Sequence, residues 1–202
     1  MSERPSVRLV VHADESCLGN GMEGPNPGGA ASLVEIVSGR HITRLDLYIS
    51  APDTTNNRMA LSGAIATFAL VSERCPRTSV AFISDSQYLV KGITEWVSSW
   101  RARGWRRKGG PIENLELWKR LVRESDRQYA TWIWVRGHAG HVKNEYANDL
   151  AIRAASEQAV SDGLVESGFD QWLAGKRSRG LFMDFDPNKH AAELVTELGK
   201  QR

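Results

Sequence analysis

The sequence is poor in cysteine. Of its 202 residues only Cys17 and Cys75 are cysteines, far apart and in no C-x-x-C pair. That excludes a disulfide framework and a thiolate zinc site, and it points to reduced thiols in a cytoplasmic setting. Long apolar runs are missing too: nothing approaches the roughly 20 residues that cross a bilayer, so no membrane association is expected. The polar start, Met1 to Ser6, leads into Val7-Arg8-Leu9-Val10-Val11, too short for the apolar region of a secretory signal. Net charge is also scarce, +2 from 26 basic and 24 acidic side chains, so overall charge gives no argument for a nucleic-acid partner. There is no internal repeat and no low-complexity tract. With 41% hydrophobic and 25% charged residues, the composition is that of a globular protein, long enough for one domain and an appendage.

The positive charge that is present is concentrated. Between Trp96 and Ile112 stand Arg101, Arg103, Arg106, Arg107 and Lys108 with no acid among them, interleaved with Trp100 and Trp105. Such a stripe suits a phosphate backbone and stacking on sugars or bases. The same tryptophan spacing also fits a buried helix face, to which Trp96 is partly assigned, with Trp105 assigned to the surface.

Periodicity supplies the frame. Val7 to Ala13 is apolar on both faces and reads as a central strand closing on Asp14; Ala31 to Val37 and Ile42 to Ile49 read as two strands around Ser38-Gly39-Arg40. Thr54-Thr55-Asn56-Asn57 offers capping oxygens to a helix running to Val71. Val80 to Ser84, closing on Asp85, is a strand. Helices are expected through Gln87 to Lys91, Thr94 to Arg103 and Glu113 to Gln128, then a strand at Thr131 to Val135 and a helix from Asn144 to Gln158. This order implies an α/β fold with a mixed sheet of five strands and helices packed on both sides. After Gln158 the pattern weakens. Ser161 to Gly168 reads as a linker, Phe169 to Leu173 as a small apolar patch, and Asn188 to Leu198 as a short helix capped by Asn188. The expected division is therefore a domain over 1–158 and an extension over 159–202, with no role assigned to the extension and its removal expected to leave the fold intact.

Four segments fall in one register: Asp14-Glu15-Ser16-Cys17-Leu18-Gly19-Asn20, Thr54 to Met59, Ser84-Asp85-Ser86-Gln87-Tyr88, and Gly137-His138-Ala139-Gly140-His141 with Asn144-Glu145. Together with the basic stretch and Asn114-Leu115-Glu116-Leu117-Trp118, they resemble the bacterial type 1 ribonucleases H over roughly Val7 to Ala155. The resemblance implies a ribonuclease H-like fold and an endonuclease that cuts the RNA strand of RNA/DNA hybrids as a monomer. It implies two Mg2+ ions, with Mn2+ able to substitute, because hydrolysing a phosphodiester needs an activated water and charge relief, and hard cations take oxygen ligands. By resemblance Asp14 would bridge the ions, Asp85 would hold the one beside the attacking water, and His138 would assist proton transfer or product release. Cys17, Asn20, Asn56, Asn57 and Gln87 would read the hybrid's minor groove, where the 2′-hydroxyl marks RNA. Thr55 and Asn114 would clasp a DNA phosphate, and Trp100, Arg101, Arg103, Trp105, Arg106 and Arg107 would form the basic grip.

Two acidic positions depart from the pattern. The glutamate expected after Arg58-Met59 is Ala60, a vacated ligand position, and the last aspartate is Asn148, followed by Asp149. Asparagine keeps a neutral oxygen; alanine keeps nothing. Asp149 lies about 100° around its helix from Asn148, which argues against a simple slide by one place. Glu15, where the pattern has glycine, is the nearest replacement carboxylate. The expectation is a nuclease impaired by these losses, with restoration of Ala60→Glu raising its rate most. The alternatives are a hybrid-binding module that does not cut, or an active enzyme carrying a deliberate active-site change. His138 and His141 lack the partners of a zinc site, and Ser86 lacks a nucleophile-elbow glycine pattern.

Overall fold

The computed structural model describes residues 7–19, 24–75, 77–137 and 140–200. Three antiparallel strands open the chain, β1 (Val7–Cys17), β2 (Gly28–Ser38) and β3 (His41–Ala51), followed by α1 (Asn56–Arg74) and β4 (Ser79–Ser84). Then come α2 (Gln87–Lys91), a π-helical turn (Gly92–Trp96), α3 (Val97–Ala102), α4 (Leu115–Ser125), β5 (Tyr129–Trp134) and α5 (Val142–Glu157). The extension adds β6 (Val165–Glu166), α6 (Phe169–Arg177) and α7 (Pro187–Lys200). The sheet order is β5-β4-β1-β2-β3-β6, with β4 parallel to both β1 and β5 and the other pairs antiparallel. The sheet thus has six strands where five were expected. The sixth comes from the extension, and at two residues it is too short to show a strand's alternation.

Alternation along β1 divides the interior. Leu9, Val11 and Ala13 face α1, packing with Ala60, Leu61, Ala64 and Phe68 in a core that Trp100 and Trp118 complete from the α3 and α4 side. On the other face, Ala31 and Leu33 of β2 pack with Leu150 and Ala151 of α5 and with Phe169 and Leu173 of α6. Val10 meets Ala191 of α7. Gly29 makes the close crossing of α5 over β2 possible: a Cβ there would stand 2.2 Å from the Ala151 carbonyl oxygen, which no side chain tolerates.

The extension is part of this second core. Phe169 and Ala191 are fully buried, and a buried phenylalanine contributes about 1.5–3 kcal/mol. Polar contacts fix it further. Asp46 on β3 accepts from the Tyr146 hydroxyl, from Ser167 Oγ at 2.7 Å and from the Gly168 amide at 3.1 Å. Arg44 donates to Asn188 Oδ1 at 2.6 Å. Lys143, buried, pairs with Glu35 Oε2 at 2.7 Å and donates to the Pro187 carbonyl at 2.9 Å. These contacts argue against the expectation that removing the extension leaves the fold intact. The α7 cap also differs: Asp186 Oδ1 accepts from the amides of Asn188 (2.9 Å) and Lys189 (3.0 Å), with Pro187 in the first helical position, so Asn188 is already inside the helix.

Candidate active site

β1 does not stop at Asp14. Its parallel pairing with β4 ends at Ala13 opposite Ser84, while its pairing with β2 continues to Cys17 opposite Gly28. Asp14 and Asp85 are therefore the first residues past the end of the β1–β4 ladder, side by side on adjacent strands. Glu15, the next residue of β1, projects to the opposite face from Asp14. Its cross-strand partner is Ala30, whose Cβ lies against Gly63 of α1, one turn from Ala60. Glu15 thus belongs to the face of the sheet on which α1 carries Ala60 in place of an acid.

Carboxylate oxygens of Asp14, Glu15 and Asp85 lie within 4.8 Å of one another. Burial, and then the charge of Asp85, push the Asp14 carboxyl up to about 8, against the pull of the Glu15 amide and the Asn144 side chain. Burial, followed by the charges of Asp14 and Asp85, likewise pushes Glu15 up to about 8, opposed by a hydrogen bond from Ser86. The stabilising groups named for Asp14 and Glu15 are neutral donors, so a bound cation would favour their ionised forms and take the place of their protons. Three carboxylates, all hard oxygen donors, fit Mg2+ or Mn2+.

The surroundings hold these acids in place. Asn144, buried on α5, donates to Asp14 Oδ2 at 3.1 Å and to the Ala13 carbonyl at 3.3 Å. Trp134 Nε1 donates to the Asp85 carbonyl at 3.0 Å. A Cβ on Gly137 would fall 2.3 Å from Asp85 Oδ2, so any larger residue there would displace the Asp85 carboxylate. Asn148, partly buried, follows Asn144 by one turn and shares its side of α5. Asp149 is engaged elsewhere, accepting from Trp172 Nε1 at 2.8 Å and pairing with Lys176 Nζ at 3.0 Å, both on α6. It does not replace Asn148.

The recognition residues are spread over the surface leading away from the acids. Thr55 caps α1, its Oγ1 accepting from the Arg58 amide at 3.3 Å. Asn56 and Asn57 open that helix partly buried, with Asn56 Oδ1 unpartnered among the described residues; Cys17 is partly buried, its thiol pushed up by burial and by Glu15; Gln87 is exposed at the start of α2. Asn114 sits in the left-handed region (φ 55°) and donates to the Tyr88 hydroxyl at 3.3 Å. Arg103, Arg106 and Arg107 are exposed, as is Arg101, which pairs with Asp126 at 3.3 Å. Trp105 is partly exposed. Trp100 departs from its expected place on the surface: it is buried edge-on against Trp118 and reaches only the wall of a cleft shared with Tyr88, Trp96 and Arg107. Asn20 and His138 lie outside the described residues. Sequence reasoning quoted Asn144 within a motif without a role; its spacing of four from Asn148 was the signal that both face the acids.

The profile of the family described as RNase H matches residues 6–156. The chain belongs to the ribonuclease H family. Among curated relatives, the Ribonuclease H of Methylococcus capsulatus is 42% identical over 164 residues, covering 80% of this chain and 97% of that protein. The Ribonuclease HI of Pseudomonas aeruginosa is 38% identical over 151 residues, covering 74% and 95%. Among solved structures, LC9-RNase H1, described as a type 1 RNase H with the type 2 active-site motif, is 50% identical with a TM-score of 0.79, covering 86% of this chain and 83% of that one. LC11-RNase H1, solved with an RNA/DNA hybrid, shares the fold at 15% identity and a TM-score of 0.53, covering 74% and 98%. The ribonuclease H domain is therefore an enzyme domain of a metal-dependent family that hydrolyses RNA in hybrids, and its acidic cluster lies where the β1–β4 ladder ends.

Proposed function

We propose that this ribonuclease H cuts the RNA strand of RNA/DNA hybrids as an active endonuclease, with Glu15 supplying the carboxylate that Ala60 does not. The observation that carries the reading is the approach of Asp14, Glu15 and Asp85 to within 4.8 Å, with Glu15 on the face of the sheet that α1 covers. The expected impairment rested on Ala60 and Asn148, and Glu15 supports the opposite conclusion for the first of these. LC9-RNase H1, a type 1 enzyme described as having the type 2 active-site motif, is a precedent for a different motif on this scaffold. Asp14, Glu15 and Asp85 would hold Mg2+, two ions in the active form with Mn2+ able to substitute, and Asn148 would add a neutral oxygen. Bound there, the metal supplies an activated water and relief of charge on the phosphate.

The chain's own groups do the rest. Asn144 fixes the rotamer of Asp14, and Trp134 and Gly137 fix Asp85. Cys17, Asn56, Asn57 and Gln87 would meet the minor groove and its 2′-hydroxyls. Thr55 and Asn114 would bind a DNA phosphate, and the exposed arginines would anchor the backbone. His138 would serve proton transfer or product release. The enzyme would act as a cytoplasmic monomer.

The test is cleavage of a labelled hybrid in Mg2+ and in Mn2+ by the chain as it stands, Glu15→Gln, Ala60→Glu, and Glu15→Gly combined with Ala60→Glu. The unchanged chain should cut in Mg2+, Glu15→Gln should lose activity, and the double variant should regain it. Ala60→Glu alone should lower the rate, because a fourth acid crowds the cluster. A chain that binds hybrid but cuts in neither metal would make this a binding module; a rate raised by Ala60→Glu alone would mean that Glu15 is not a ligand.

A further inference from the structure

Ser86 stands where a serine ordinarily serves its helix. It is the N-cap of α2, and its carbonyl accepts from the Val90 amide at 3.0 Å. An N-cap serine usually turns its hydroxyl back to the amides of the first turn, which have no partner within the helix. The Ser86 side chain makes no such bond among the described residues. Its hydroxyl donates instead across to β1, to the carboxylate of Glu15.

The register accounts for the meeting. β1 and β4 run parallel, and their last rung sets Ala13 opposite Ser84. Counting on by two residues brings Glu15 level with Ser86. The serine is itself held from behind: its amide donates at 3.1 Å to Oγ of the fully buried Ser84, and the carbonyl of the same peptide unit, that of Asp85, accepts from Trp134 Nε1 at 3.0 Å. One peptide is therefore gripped at both polar ends, by side chains of β4 and β5, and it lies between the Asp85 carboxylate and the Ser86 hydroxyl. The sheet, and not the helix that follows, fixes where that hydroxyl is presented. A glutamate reaching in from a strand has several rotatable bonds to still before it can serve as a ligand, and a fixed donor removes part of that freedom. The carboxylate has room for the bond, since its two oxygens offer about four acceptor sites.

We propose that Ser86 is a positioning residue for Glu15, its hydroxyl holding that carboxylate where it can bind metal beside Asp14 and Asp85. The inference rests on the reading of Glu15 as a ligand. On it, the start of α2 gives up a cap in order to complete the metal site.

The experiment uses the full chain without substrate, titrated with Mn2+ whose free fraction is read by electron paramagnetic resonance, and melts the same preparations in chelator. Hybrid cleavage is then followed across Mg2+ concentrations. Ser86→Ala should weaken Mn2+ binding, and raise the Mg2+ needed for half-maximal rate, by about 10–100-fold, the range for loss of an outer-shell partner. Its melting temperature in chelator and its KM for hybrid at saturating Mg2+ should stay unchanged. Ser86→Thr, which keeps the hydroxyl, should bind and cut as the unaltered chain does. Added to Glu15→Gln, where the carboxylate is gone, Ser86→Ala should have little further effect. Full Mn2+ affinity in Ser86→Ala beside a weakened Glu15→Gln would overturn the proposal and leave Glu15 a ligand; full affinity in both would overturn the reading of Glu15 as well. A melting temperature lowered by Ser86→Ala with Mn2+ binding intact would make the serine a helix cap and nothing more.

Discussion

Two sets of buried acids stand on this sheet and are treated in opposite ways. Glu35 on β2 is fully buried, yet Lys143 and Arg44 reach its two oxygens at 2.7 and 3.0 Å, so the charge is neutralised from within the chain. At the ends of β1 and β4, Asp14 and Glu15 are stabilised by an amide, an asparagine and a serine, and their carboxyls rise to about 8. The first set is finished when the chain folds and ties α5 to β2 and α7. The second stays unbalanced, and that imbalance gives it affinity for a cation. What separates these two sets is whether the fold brings the acid a base.

The comparison can be broken from either side. The largest effect expected is on catalysis: Glu15→Gln should slow hybrid cleavage about a thousandfold, equivalent to about 4 kcal/mol of transition-state stabilisation, while leaving the melting temperature equal or higher. Steady-state rates and a thermal scan on the same preparation decide this, and a loss of stability alongside activity would make Glu15 structural. Lys143→Met should do the reverse, costing about 3 kcal/mol or more of unfolding free energy in denaturant titrations, with the active-site acids untouched. Adding Glu35→Leu should recover most of that loss. Phe169→Ala should cost a comparable 3–5 kcal/mol by emptying the second core, and a value near zero would mean that the extension is only laid on the surface.

A smaller effect follows from protons. Asp14 and Glu15 have folded values near 8 against ordinary values of 3.8 and 4.5, so the unfolded chain gives up these protons first. Their contribution to stability is therefore full below about pH 4 and drains as the pH rises through about 8. In chelator, the melting temperature should fall between about pH 5 and about pH 8, and Mg2+ should flatten the slope, as should Asp14→Asn with Glu15→Gln. An unchanged slope in that double variant would assign the pH dependence to other groups. Smallest are the exposed arginines: each of Arg101, Arg103, Arg106 and Arg107 that meets a phosphate should carry about one unit of the slope of log affinity against log salt. Arg101, held by Asp126, should carry the least.

Much of the domain was legible in the sequence because its elements are long and periodic. The apolar run of β1, the capped α1 and the acids after β1 and β4 can each be read without a partner. What could not be read depended on contacts between distant segments. The spacing of Trp100 fits a surface stripe or a buried helix face, and α4 decides for the core by bringing Trp118 against it. Helix geometry already argued against Asp149 as a replacement ligand, but its partners Trp172 and Lys176 come from α6 and were not legible. Glu15 could be suspected from position, but its approach to Asp14 and Asp85 follows from where the β1–β4 ladder stops, which only the register reveals. The extension was least legible: Phe169 and Leu173 look like a minor patch until Ala31, Leu33 and Leu150 are placed beneath them.

The pairing of β6 with β3 has a consequence for how copies of the protein behave together. β3 is eleven residues long and without β6 would end the sheet, offering a row of backbone donors and acceptors to any extended segment. β6 occupies the row only at Leu45 and Asp46, but it leads straight into α6, and the two act as a guard on an edge that would otherwise template strand addition. Damage to the extension should therefore appear first as self-association and turbidity in concentrated solution, before the acids between the inner strands β1 and β4 lose their arrangement.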